Sequence, residues 1–571
     1  MSEQQVSEQQ VSEQQVSDEL LATARAWLRQ DPDPETRDEL AGLITRAGGG
    51  DTTAVADLDD RFGARLAFGT AGLRGELGAG SNRMNRVLVA QAAAGFAAYL
   101  RQKSQGGTPT VVIGYDGRRN SRRFATDSAE LFAGAGLRAI LLPRLLPTPV
   151  LAFAVRHLGA DAGVMVTASH NPPNDNGYKV YLGGSDQGSQ IVAPADAEIA
   201  AHIQRVADDA DASLLPRSTA YETAGDEIVE AYISATAAVA PAPAGASALR
   251  WVYTAMHGVG WETLSRILRA AGYPQPVVVD EQLKPDATFR TVSFPNPEEP
   301  GAMDLSFATA RRARADFILA NDPDADRLAL AIPDDTVPGG WRRLTGNEVG
   351  LLLGARAARA AAGTPGASLA CSLVSSPGLG AVAAHHGLDF HETLTGFKWI
   401  SRAPGIVFGF EEALGYLVNP ETVRDKDGIS AAIAILGLAA EAHGRGATLA
   451  DLLRELGETY GHFASGQVSV RVDDLSVIGN VMLALRTLPP TQIAGRSIAS
   501  VEDLLHVGPG QPSGDVLRYR LTDGSRVIVR PSGTEPKLKV YIDARAESAD
   551  GAIAAVAELE TGVRALLDER S

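Results

Sequence analysis

A chain of 571 residues is too long for one hydrophobic core, and at roughly 150 residues per domain it divides into about four. Its 45% hydrophobic and 21% charged residues are those of an ordinary globular protein, and a net charge of −17 excludes a global basic field for nucleic acid or an anionic membrane. Any anionic ligand must be met by local cations.

Residues 2–16 are the pentapeptide Ser-Glu-Gln-Gln-Val three times over, too polar to form a core, and read as a tail or helical extension without a catalytic role. Beyond it, short β-branched or apolar runs alternate with alanine-rich stretches, the pattern of α/β domains with mainly parallel sheets. Residues 111–114 predict a strand and 121–136 a helix, and 163–166 predict a strand that enters a polar loop at Thr167. A Pro/Ala/Gly-rich linker covers 241–247, and 251–254 open a new unit. The predicted strand 317–320 leads to Asp322, and a helix near Gly346 opens a third unit in which 406–410 lead to Glu411 and Glu412. A last unit begins at about 466, where 526–529 lead to Arg530. The resulting division is a tail at 1–18 and units at 19–235, 236–343, 344–465 and 466–571. Four polar loops each follow a short strand, one per unit, and in open α/β sheets ligands collect beyond the carboxyl ends of strands.

The remaining composition sets the compartment. Cys371 is the one cysteine, so no intramolecular disulfide is possible and a reducing cytoplasm is expected. The longest apolar run, 431–440, is far below the ~18 residues that a membrane span needs, and no secretory signal is visible. Lys and Arg total 52, of which only seven are lysine, so a lysine inside a motif stands out as a compact charge whose pKa can be moved.

The most informative stretch is Thr167-Ala168-Ser169-His170-Asn171-Pro172 together with Asp322-Pro323-Asp324-Ala325-Asp326-Arg327. Ser169 lacks the Gly-x-Ser-x-Gly elbow of hydrolases, and His170 is its direct neighbour, poor geometry for a general-base pair but close to any group carried on the serine. A capping serine in a polar turn is the plainer alternative. The carboxylates at i, i+2 and i+4 repel one another unless a cation joins them, and they suit Mg²⁺ with a phosphate oxygen. A solvated acidic turn is the alternative here. An EF-hand is excluded because its sixth position is Arg327 and its twelfth is Pro333. Arg530-Pro531-Ser532-Gly533-Thr534 combines a cation, hydroxyls and a glycine, as a phosphate cradle does, although a plain turn between strands is also open. The glycine-rich 69–75, carrying Arg74, and the basic stretch 116–123 are weak signals alone. No Gly-Lys dipeptide exists, which excludes a Walker A loop, and no Cys/His cluster suggests zinc. Residues 378–383 mimic a dinucleotide fingerprint, but no acidic residue lies near 403 to hold a ribose, so helix packing is expected there.

These motifs, with Gly409-Phe410-Glu411-Glu412-Ala413-Leu414-Gly415-Tyr416, resemble those of the α-D-phosphohexomutases, the phosphoglucomutases and phosphomannomutases. The resemblance runs from Gly69 to Tyr541 in the family's order. The stretches 82–85, 256–260 and 294–299 are similar to its long branch, which includes phosphopentomutases and glucose-1,6-bisphosphate synthases. It implies four domains around a central cleft: three similar α/β units with mixed, mainly parallel sheets and a smaller C-terminal α+β domain. It also implies that Ser169 carries a phosphoryl group, that Mg²⁺ is held by Ser169, Asp322, Asp324 and Asp326, and that Glu411 and Glu412 read the sugar. Arg530, Ser532, Gly533 and Thr534 then hold phosphate.

Two departures bear on the substrate. The family's Glu-x-Ser is Glu411-Glu412-Ala413 here, so a sugar-binding hydroxyl is missing; Lys398 stands where many bacterial phosphomannomutases have histidine, which is closer to the glucomutase pattern.

The expected reaction is phosphoryl shuttling between the 1- and 6-positions of a hexose through a 1,6-bisphosphate, with glucose 1,6-bisphosphate as activator. Mg²⁺, Arg327 and Arg74 supply charge, and Lys398 is a further candidate catalytic residue. Lys179 is the expected acid/base, its pKa lowered by Arg and Mg²⁺, with His170 second. Sugar phosphates are the expected partners, on a monomer or homodimer. A phosphopentomutase, a sugar-bisphosphate synthase, a phosphoserine hydrolase and a sugar-phosphate sensor are the other readings.

Overall fold

The computed structural model describes residues 18–104, 106–472, 475–507, 513–532 and 537–570. The pentapeptide repeats, and Gly533 and Thr534 of the expected phosphate loop, lie outside them. Two compact units emerge. One holds the chain up to Pro241 with Arg250–Leu328 and Glu421–Ser430; the other holds Ala242–Leu249, Ala329–Pro420 and the chain from Ala431 onward.

In the first unit, a seven-stranded sheet has Thr110–Tyr115 at its centre, parallel to Arg138–Leu141 on one side and to Ala162–Val166 on the other. Asp175–Leu182 then runs antiparallel to Ala162–Val166, and Leu73–Glu76 antiparallel to it. The central strands are buried on both faces and rich in valine and isoleucine, as a sheet sandwiched between helices requires. A second parallel set, Phe317–Asn321, Trp251–Thr254 and Val277–Val278, belongs to the same unit. The predicted strands and the helix Ser121–Gly134 fall where the apolar runs place them.

The second unit contains two sheets. Ser368–Ser372 lies between Asp389–Thr393 and Ile406–Glu411, parallel to both, and Gly415–Leu417 closes that edge antiparallel. The stretch 378–383 begins the helix Gly378–His386, where Gly380 faces the Phe390 ring at 3.1 Å from an ideal Cβ, so close helix packing accounts for its glycines. The C-terminal sheet is antiparallel throughout, from His462–Arg471 across Lys537–Ala546, Arg526–Pro531, Leu517–Leu521 and Arg496–Asp503 to Gln492–Ile493, with the helix Ala549–Asp568 packed on it. Among the described residues no helix is long and apolar enough to cross a membrane.

Helices Arg86–Lys103 and Ala195–Asp209 cross at Gly95, where a Cβ would lie 2.5 Å from the Ile203 Cα and 2.6 Å from its nitrogen. Main chain cannot yield by changing rotamer. Gly95→Ala gains about 1 kcal/mol of helix propensity but forces the helices apart at about 3 kcal/mol. A net loss of about 2 kcal/mol is expected, read as a lower urea midpoint.

Candidate functional site

The serine loop is the connection between strands Ala162–Val166 and Asp175–Leu182, and the acidic loop follows strand Phe317–Asn321. Both belong to the first unit, and the two strand ends bring them into contact. Ser169 Oγ donates to Asp322 Oδ2 at 2.8 Å and lies 3.1 Å from His170 Nδ1. The serine is only 2% exposed and has a left-handed φ of 53°, which costs a non-glycine residue about 1–2 kcal/mol.

Two devices hold that conformation. Thr167 Oγ1 accepts from the Ser169 N–H at 2.8 Å and donates to Asp116 Oδ2 at 2.7 Å. Arg118, buried, turns its guanidinium into the loop: Nη2 donates to the carbonyls of Ser169 at 2.5 Å and Asn171 at 2.6 Å, and Nη1 to those of Pro172 at 2.8 Å and Asp175 at 3.2 Å. Its flat face packs on Phe289, 4.9 Å from the ring centroid. The basic stretch 116–123, weak in the sequence, thus supplies the clamp of the serine loop.

Asp322, Asp324 and Asp326 are essentially fully buried, and each offers an oxygen within 4.8 Å of the others. Ala325 takes a left-handed φ of 56° so that the chain turns tightly between them. Lys179 Nζ donates to Asp324 Oδ2 at 2.7 Å and Asp326 Oδ2 at 2.9 Å, and Thr148 Oγ1 donates to Asp324 Oδ2 at 2.7 Å. Lys426 Nζ pairs with Asp326 Oδ2 at 3.2 Å. The Oδ1 atoms of Asp324 and Asp326 are buried without a hydrogen-bond partner. Oxygen-only donors, orphaned on one side and oriented from the other, fit a small hard cation.

Electrostatics divide the triad. Burial pushes Asp322 well above the usual carboxylate range, and Asp324 and Asp326 push it further. Burial is the largest influence on Asp324 and Asp326 and raises both, as Asp326 also does to Asp324. Lys179, together with Thr148 at Asp324 and with Lys426 and Arg327 at Asp326, outweighs it, and each ends below its ordinary value. The expected lowering of Lys179 is corrected here: burial lowers it, yet Asp324 and Asp326 outweigh burial and the net shift is upward. His170 lies well below its ordinary value through burial and then through Arg327 and Arg74, so its ring is neutral. Arg74 Nη1 reaches Asn171 Oδ1 at 3.1 Å, and the Arg327 N–H donates to Asp322 Oδ1 at 3.0 Å. Gly72, with φ 76°, lets the Arg74 turn abut the strand Asp175–Leu182, because a Cβ there would sit 1.9 Å from the Tyr178 carbonyl.

Sequence reasoning missed the loop Asp425-Lys426-Asp427-Gly428, which belongs to the first unit although it follows the third domain's strands. Asp425 accepts from Tyr181 OH at 2.9 Å and Gln190 Nε2 at 2.7 Å, and Asp427 accepts from Tyr232 OH at 2.9 Å. Gly428 backs onto the acidic loop, with an ideal Cβ only 2.2 Å from the Arg327 carbonyl. The scarcity of lysine was the one signal that could have singled out Lys426.

In the second unit, Glu411 ends the strand Ile406–Glu411, and Glu412 is held by hydroxyls: Ser372 and Ser375 each donate to its Oε2 at 3.0 Å, while the Glu412 N–H donates to Ser375 Oγ at 3.0 Å. Lys398 lies half-buried in the short helix Phe397–Ile400. Arg530 Nη1 donates to Thr395 Oγ1 at 3.0 Å, and Ser532 is half-buried just beyond the strand Arg526–Pro531.

Burial, and next the charge of Glu411, raise Glu412 from 4.5 to about 7. The folded chain therefore binds more protons there than the unfolded chain between those values, and stability falls as pH rises through that window. Glu412→Gln lacks this loss, so its melting temperature should gain on wild type from pH 4.5 to 7 and stay level above. A difference independent of pH would contradict the raised carboxyl.

With this geometry in place, comparison with known proteins is informative. The phosphoglucomutase/phosphomannomutase models match throughout: alpha/beta/alpha domain I at residues 65–209, domain II at 230–336, domain III at 345–460 and the C-terminal domain at 488–559. A probable phosphomannomutase of Haemophilus influenzae is 54% identical over 484 residues, 85% of this chain and 98% of its own length. The phosphopentomutase of Mus musculus is 35% identical, covering 90% of this chain and 89% of its own. A phosphoglucomutase/phosphomannomutase family protein from Burkholderia thailandensis, solved by crystallography, shares the fold with a TM-score of 0.67 at 21% identity over 89% of this chain and 98% of that one. Four domain matches in order, and a relative identical at more than half of the aligned positions, make this chain a member of the phosphoglucomutase/phosphomannomutase family.

Proposed function

We propose that this protein interconverts hexose 1-phosphate and hexose 6-phosphate, glucose before mannose, through a phosphorylated Ser169 and a hexose 1,6-bisphosphate. As a member of its family it is a sugar-phosphate mutase, an isomerase. The observation that carries the finer reading is Ser169 Oγ, 2.8 Å from one carboxylate of a triad whose other two members each keep a buried oxygen that accepts no hydrogen bond.

Asp322, Asp324, Asp326 and the phosphoryl oxygens on Ser169 would hold Mg²⁺, which supplies charge neutralisation to the transferring phosphoryl group. In the forward step the P–O bond to Ser169 Oγ breaks as a bond forms from the sugar hydroxyl, whose proton goes to the neutral His170. Lys179, which its carboxylate neighbours keep protonated, donates a proton to the leaving Ser169 oxygen. In the return step the bisphosphate's other phosphoryl group passes to Ser169 as its bond to the sugar oxygen breaks. The serine proton returns to Lys179 and the sugar oxygen takes the proton held by His170, which resets both groups. Arg74 and Arg327 stabilise the loose, charge-spread transition state. Glu411 and Glu412 take sugar hydroxyls, and Arg530 and Ser532, with Gly533 and Thr534, hold the phosphate that is not transferred. Lys398 supplies a further cation to the sugar phosphate. Glucose 1,6-bisphosphate primes Ser169. The enzyme works in the cytoplasm as a monomer or homodimer, and neither nucleic acid nor membrane is a partner.

A pentose phosphate is the second reading. It is favoured by the name of the mouse relative and by Ala413, which removes the hydroxyl expected for a hexose. Turnover of glucose-, mannose-, glucosamine- and ribose-1-phosphates side by side decides between them, with glucose expected first.

Three further outcomes test the mechanism. Incubation with glucose 1,6-bisphosphate should add about 80 Da, one phosphoryl group, to a peptide containing Ser169; mass spectrometry that never finds it would remove the basis of the shuttle. Lys179→Arg should accept that group yet lose most turnover, and a normal kcat would overturn the role of Lys179. Asp324→Asn or Asp326→Asn should weaken Mn²⁺ binding, read by electron paramagnetic resonance, by at least roughly tenfold, the smallest loss usual even for partners outside the metal's own ligands.

A further inference from the structure

Arg526 is nearly as buried as any charged side chain in the chain, at 3% exposure, and its guanidinium is spent on three different residues of the second unit. Nε donates to Asp543 Oδ2 at 2.7 Å, on the neighbouring strand of the C-terminal sheet. Nη1 donates to Glu392 Oε1 at 2.7 Å, on a strand of the preceding sheet, and Nη2 donates to the Ser375 carbonyl. Asp543 is also tied to Ser465 Oγ at 2.6 Å, and Glu392 to Arg518 Nη1 at 2.9 Å, so both acceptors are fixed from their far sides.

The third bond sets Arg526 apart from a plain core ion pair. Ser375 is the residue whose hydroxyl accepts from the Glu412 N–H and donates to the Glu412 carboxylate, each at 3.0 Å, and that hydroxyl also lies 2.8 Å from Ser372 Oγ. Arg526 therefore grips the main chain of the one residue that binds Glu412 at both backbone and side chain. The same strand carries Arg530 four residues on, and Arg530 reaches Thr395, three residues beyond Glu392. Two cross-links thus run between the same two chain segments, 526–530 and 392–395, one at the sugar-reading carboxylate's support and one at the phosphate-holding arginine. For stability alone, an apolar pair of similar volume would serve as well as a buried ion pair. A planar fork that meets three acceptors in fixed directions adds orientation, which a lysine's point charge does not.

We propose that Arg526 is a positioning residue for sugar recognition: by holding the Ser375 carbonyl it fixes the hydroxyl that orients Glu412, and it joins that support to the strand bearing Arg530. The inference rests on the sugar-reading role assigned above to Glu412. Its consequence is energetic coupling between two side chains that do not touch.

A double-mutant cycle measures it. Arg526→Lys and Glu412→Gln should each raise KM for glucose 1-phosphate roughly tenfold with kcat within about twofold, and the double variant should raise it only roughly tenfold, because the two changes disable one device. A double variant near the product of the two effects, or an Arg526→Lys enzyme with wild-type KM, overturns the proposal. So does a fall in kcat and melting temperature with KM unmoved, which is what a merely structural arginine gives. Should Arg526→Lys fail to fold, the isosteric Glu392→Gln loosens Arg526 from its other side. It should raise KM about threefold and be equally non-additive with Glu412→Gln; additivity there overturns the proposal too. Calorimetric binding of glucose 1-phosphate reads the same cycle without turnover. A wild type that binds but does not isomerise thus counts against the mutase chemistry alone, whereas independent binding losses count against the coupling.

Discussion

Three carboxylates at alternate positions of one buried loop are the constraint on which the first unit's chemistry depends. Like charges 4 Å apart repel by about 4 kcal/mol at an effective dielectric of 20, so such a loop cannot stand without compensation. The compensation is asymmetric. Lys179, Lys426 and Thr148 occupy the Oδ2 atoms of Asp324 and Asp326, while the Oδ1 atoms accept no hydrogen bond. Asp322, with no lysine on it, is the member pushed upward and the one that Ser169 touches. The cations that make the loop tolerable are thus also what turns its remaining oxygens one way, and the serine stands where the charge is least settled.

Such an arrangement demands backbone accuracy, and the fold provides it from rigid elements. Lys179 projects from a strand in register with Met165 of the strand that leads to Ser169, so one sheet positions both Lys179 and the start of the serine loop. Ser169 itself sits outside the sheet in a left-handed conformation, and the Arg118 guanidinium holds four carbonyls of its loop at once. Arg118 bears the charge, yet its donors face main chain instead of substrate. A residue of this kind would be misread as a phosphate ligand from charge alone.

That distinction marks what the sequence could reveal. Strand runs such as 251–254 and 406–410 were legible because burial on both faces leaves an unbroken apolar stretch, and the acidic loop was legible because alternate carboxylates make no sense without a cation. Contacts across long chain separations were not. Thr148 on Asp324, Lys426 on Asp326 and Tyr232 on Asp427 join segments that no local period connects. The direction of the Lys179 shift was also out of reach, since it depends on which neighbours lie within 3 Å, and these proved to be carboxylates.

The loop that carries Glu411 and Glu412 shows how such local substitutions are absorbed. Ala413 removes a hydroxyl that could both donate to and accept from a sugar. The nearby hydroxyls of Ser372 and Ser375 do not replace it, because both are engaged by the Glu412 carboxyl group. Their effect is on Glu412 itself. Each donates to the carboxylate and so favours the charged form, but burial and the adjacent Glu411 outweigh them and leave the group near neutrality. A carboxyl that titrates around pH 7 presents an O–H in one form and two acceptor oxygens in the other. Glu412 therefore carries in one side chain both of the hydrogen-bonding directions that a serine hydroxyl offers, and the balance between them depends on pH, as a serine's does not.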